Sequence, residues 1–71
     1  MDNSEIIDQL RAEVITAAVN LFEGNEEAAM AWLNRPLRAI GYEKPVDYMT
    51  STEELQRLRD VIGQLEHGVW I

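Results

Sequence analysis

The side chains in this sequence that are equipped for chemistry are few, and their spacing assembles no reaction centre. His67 is the single histidine, cysteine is absent, and there is neither a glycine-rich phosphate loop nor a G-x-S-x-G turn. Acyl or group transfer needs a nucleophile, a base and an orienting group within reach of one another. A histidine followed by a glycine, as in His67-Gly68, reads instead as a helix C-terminal cap or a solvated side chain. The acidic pairs Glu26-Glu27 and Glu53-Glu54 have the residue types for glycosidic-bond or metal chemistry. Both stand where helices begin, and there the positive end of the helix dipole accounts for them. One histidine and scattered carboxylates have no metal-ligand spacing. The expectation is a protein that is no enzyme and holds no metal or cofactor.

The residues suited to binding are different ones. Arg35, Arg38 and Lys44 fall within ten positions, interleaved with Pro36, Tyr42 and Pro45. They read either as a solubilising rim or as a local positive patch that meets carboxylates on a partner. The sequence closes on Glu66-His67-Gly68-Val69-Trp70-Ile71, whose last three residues are as apolar as a core. Two readings of that tail stand side by side. It is an anchor that loses its water in a partner's pocket, or it folds back between the first and last helices and completes the chain's own core.

Three helices must position these groups. Ile7, Leu10, Val14, Ala17, Ala18 and Leu21 recur at helical steps, predicting a helix from about Ser4 to Phe22, opened either by a capping box in D-N-S-E or by Ser4 as the cap itself. Its stripe narrows to alanine midway, which admits a close neighbour. Gly24 stops it and Asn25 caps the next helix, Glu26 to Asn34, whose apolar side is Ala28, Ala29, Trp32 and Leu33. Trp32 is the largest core candidate. Pro36 breaks that helix and is suited to open a short one ending at Ile40 before Gly41. Pro45 opens a further turn with Val46 and Met49 on one side. The last helix starts at Thr52 behind a Ser51–Glu54 capping box and carries Leu55, Leu58, Ile62 and Leu65 on one face. No stretch alternates as a strand does. The reading is an all-α fold, a single domain over residues 1–71, with three main helices and two short helical turns between the second and the last.

Size and charge narrow the function. A chain of 71 residues buries only about 60% of its unfolded surface, so a partner or a second copy would add much to its stability. A net charge of −7 repels phosphate backbones, which argues against direct nucleic-acid binding. No apolar run nears the roughly 20 residues of a membrane span, and no signal-peptide pattern opens the chain. A cytoplasmic location is expected, with no membrane contact.

The series L-F-E-G (21–24), A-W-L (31–33), R-P-L-R-A-I-G (35–41), K-P-V-D-Y-M (44–49) and L-E-H-G-V-W (65–70) resembles the Xre/MbcA/ParS-like antitoxin toxin-binding domain, from about Ala17 to Trp70. The resemblance implies a bacterial toxin–antitoxin module that binds a RES-domain, NAD-consuming toxin and covers its active-site cleft. Carried over, Trp32, Leu33, Pro36, Gly41 and Pro45 would be scaffold, and Glu66-His67-Gly68-Val69-Trp70 would lie nearest the toxin. In that family a helix-turn-helix domain normally precedes this one. The residues ahead of the match are too few for it, so operator binding is expected either to be absent or to lie on a segment outside this sequence. Near Glu54 many members carry a glycine, a departure confined to the start of the last helix. A different class of function, a helical module that self-associates as a homodimer through the Ile7/Leu10/Val14 or Leu55/Leu58/Ile62/Leu65 seam, fits the same pattern.

Overall fold

The computed structural model describes residues 4–68, which form an all-α domain. Helix α1 spans Ser4–Leu21, α2 spans Glu26–Leu33 and α3 spans Thr52–Glu66, with two 3-10 turns, Arg38–Ile40 and Pro45–Asp47, between α2 and α3. Among the described residues there is no strand, only an isolated antiparallel bridge between Leu37 and Glu43.

Each boundary follows from local chemistry. Beyond α1, Glu23 and Gly24 both take left-handed backbone, at φ 57° and 86°, and the Gly24 amide donates to the Val19 carbonyl at 2.9 Å. Asn25 then caps α2, its Oδ1 accepting the Ala28 amide at 3.0 Å. The expected end at Asn34 comes one residue earlier, because Asn34 is itself the C-cap and donates its side-chain amide to the Met30 carbonyl at 2.8 Å.

The helical turn expected from Pro36 begins only at Arg38. Leu37 is extended instead, at φ −117° and ψ 121°. Its amide donates to the Glu43 carbonyl at 3.0 Å and its carbonyl accepts the Tyr42 amide at 2.9 Å. That pairing closes a loop over residues 38–42 and holds Leu37 extended as the cap of the turn, its carbonyl also accepting the Ile40 amide at 3.1 Å. Pro45 does open its turn, as the ring's fixed φ favours, and is buried.

Contacts at both ends of the α1–α3 pair show that the two helices run in the same direction. Arg11 donates to the Met49 carbonyl at 2.8 Å, just ahead of α3, while Leu21 and Phe22 meet Leu65 around a shared groove at its end. Helices side by side in one direction cannot be joined by a tight turn. The chain must return the length of α3, about 22 Å at 1.5 Å per residue, and α2 with the two 3-10 turns makes that return. A second arginine clamp holds the return in place, Arg57 Nη2 donating to the Ala39 carbonyl at 3.3 Å.

Between these layers lies one core, built of Val14, Ala17, Ala18, Ala29, Leu33, Ile40, Met49, Leu55, Leu58 and Ile62. Ala17 and Ala18 of α1 are buried, and both α3 and α2 pack on that helix. Of the two seams that suited self-association, Val14, Leu55, Leu58 and Ile62 are buried within the chain, while Ile7, Leu10 and Leu65 are half-buried. Val61 is buried too, so the covered face of α3 is wider than its stripe implied.

Candidate functional site

The end of α3 carries the sequence-predicted binding residues. Glu66 is its last residue, His67 its C-cap, and Gly68 follows in left-handed backbone at φ 79°. The His67 amide donates to the carbonyls of Gly63 and Gln64, and the Gly68 amide to that of Leu65 at 3.0 Å. The side chains of Glu66 and His67 are exposed. His67 thus sits where a helix cap was expected, in water. Val69, Trp70 and Ile71 lie outside the described residues.

Two grooves flank this helix end. On one side, Leu21, Phe22, Trp32, Arg35 and Leu65 line an open, mostly apolar groove of about 300 Å³. Phe22 and Trp32 stand in its wall with ring centroids 6.5 Å apart and planes tilted by 54°. Trp32, expected to be the largest core residue, is only half-buried, and Leu33 takes the closed position. The Trp32 ring packs against the core from the groove wall beside Phe22, with one side left open. On the other side, Glu13, Thr16, Asn20, Arg59 and Glu66, together with Ala12 and Ala17, line a groove of mixed polarity between α1 and α3.

The three basic candidates part company here. Arg35 joins the C-terminal end through the apolar groove. Arg38 and Lys44 are exposed on the loop closed by the Leu37–Glu43 bridge, at its first residue and just beyond its closing one. At the far side of that loop, Gly41 and Tyr42 are both left-handed, with φ 75° and 65°. Tyr42 is 68% exposed, the most exposed large hydrophobic side chain among those described. Arg11 and Arg57, by contrast, are committed to backbone carbonyls of the connector. Sequence reasoning missed Phe22 and Leu65 as groove walls, since each fits a helical stripe and nothing local shows that a stripe ends in the open. It also passed over Tyr42, whose signal is an aromatic directly after a helix-stopping glycine.

A small helical domain with no strand among its described residues, capped by E-H-G at an exposed helix end, is the architecture on which the family comparison falls. The antitoxin Xre/MbcA/ParS C-terminal toxin-binding domain matches residues 17–68, and the chain belongs to that family. It is 35% identical over 57 residues to a protein named antitoxin Xre from Yersinia enterocolitica, and 34% identical over 56 residues to one of the same name from Photorhabdus laumondii. Those matches cover 80% and 79% of this chain but 38% of each relative. The chain thus corresponds to less than half the length of the relatives it matches. No described helix is long and apolar enough to cross a membrane.

Proposed function

We propose that this domain is the toxin-binding part of an antitoxin, acting as a binding protein without catalysis, and that its target is a RES-domain, NAD-consuming toxin whose active-site cleft it covers. The family match over residues 17–68 carries the reading, and the antitoxin names of both relatives support it. Glu66, His67 and Gly68, with the apolar Val69, Trp70 and Ile71 behind them, are the residues proposed to meet the toxin. An aromatic flanked by aliphatics supplies the desolvated anchor typical of interface centres. Arg35, Arg38 and Lys44 give a positive contribution to an otherwise acidic surface, which sets orientation and encounter rate. A cytoplasmic bacterial setting follows from the same reading.

Truncation after Gly68 tests it. The shortened chain is expected to bind the toxin more than tenfold more weakly, with unchanged helicity by circular dichroism. A shortened chain that still suppresses NAD consumption by the toxin in full would exclude the tail as the plug.

A further inference from the structure

Tyr42 is held in a backbone state that an aromatic side chain rarely adopts, and it makes little use of it inside the chain. At φ 65° its Cβ crowds the following carbonyl, a strain that glycine or asparagine would largely avoid. Neighbouring residues usually compensate such strain by burying the side chain, but Tyr42 is 68% exposed. Its amide donates to the Leu37 carbonyl at 2.9 Å, and any non-proline residue supplies that bond. The loop's geometry therefore gives no reason for a tyrosine. Glu23 shares left-handed backbone at φ 57° and is exposed at the α1 stop, so strain alone assigns no role. At Tyr42 it coincides with a large apolar ring left in water, and that pair of features points outside the fold.

The surroundings say what kind. Leu37 and Glu43 close the loop, Arg38 begins its 3-10 turn and Lys44 follows the closing residue, both exposed. Glu43 and Asp47 are the acidic groups nearby in the chain, also exposed. A lone aromatic presented between an arginine and a lysine is the residue mixture of an interface centre, where tyrosine and arginine dominate the binding energy. We propose that Tyr42 is a second anchor for the toxin, entering an apolar socket rimmed by carboxylates that pair with Arg38 and Lys44. This rests on the antitoxin reading for the partner's identity, and it adds a contact away from the α3 terminus.

Replacing Tyr42 by glycine separates the two roles. Tyr42→Gly is expected to leave the melting temperature unchanged or raise it, because the left-handed strain is relieved, while weakening toxin binding at least tenfold in calorimetric titration. Tyr42→Asn, which also tolerates this backbone, should behave alike and guards against a glycine-specific loosening of the loop. Lys44→Glu should weaken binding at low ionic strength, with a smaller effect as salt rises. Equal affinity of both Tyr42 variants and the unmodified chain would overturn the proposal, and so would a fall in melting temperature that accounts for the lost binding. If the unmodified chain binds no toxin in the same titration, the antitoxin reading fails, and this inference with it.

Discussion

Glu54 shows how one side chain secures the entry to α3. The Ser51 hydroxyl oxygen accepts the Glu54 amide at 3.2 Å, as a capping box requires. The returning carboxylate reaches one residue further than the motif predicts: Oε1 accepts the Thr50 hydroxyl at 2.6 Å and the Thr50 amide at 2.9 Å. These donors, the hydroxyl foremost, hold the carboxyl below its ordinary pKa. Because the folded value lies below the unfolded one, ionised Glu54 contributes stability that is complete above the ordinary glutamate value of about 4.3 and is lost as pH falls through the lowered one. Glu54→Gln is expected to be less stable than the unmodified chain at pH 7, with the difference closing as the solution is acidified through that range. Denaturant midpoints measured at several pH values check this, and a difference that does not vary with pH would place the effect elsewhere.

Among the elements, the same-direction pairing of α1 and α3 bears most of the stability. Leu58 is fully buried in it, and truncation to alanine at such a site costs about 2–5 kcal/mol. Small domains hold total stabilities near the lower end of about 5–15 kcal/mol, so Leu58→Ala should leave much of the population unfolded by circular dichroism at 37 °C, whereas Met30→Ala, on an exposed position of α2, should change little. The three helices were legible from spacing and punctuation, since Gly24, Asn25, Ser51 and Gly68 act through bonds within a few residues. The connector was only half legible. Pro45 signals its own turn, but the delayed start after Pro36 depends on Leu37 pairing with Glu43, a contact whose geometry no local pattern displays. Val61 was passed over and Trp32 was given too central a place for a related reason: burial at the edge of a stripe is decided by how closely other elements approach, which no local spacing displays.

Across the whole molecule, two regions are proposed for a partner, the E-H-G terminus of α3 with its flanking grooves and the loop that carries Tyr42 between Arg38 and Lys44. The first was legible as a candidate because an apolar tail after a helix stop is visible in the sequence. The second was half legible: Arg38 and Lys44 stood out as a local positive patch, but exposure and a left-handed φ at Tyr42 emerge only once the chain has turned back on itself. The most direct measurement is NAD consumption by a purified RES-domain toxin, titrated with the intact chain. The account predicts saturable loss of turnover that follows complex formation. Undiminished turnover with the complex fully formed would contradict it.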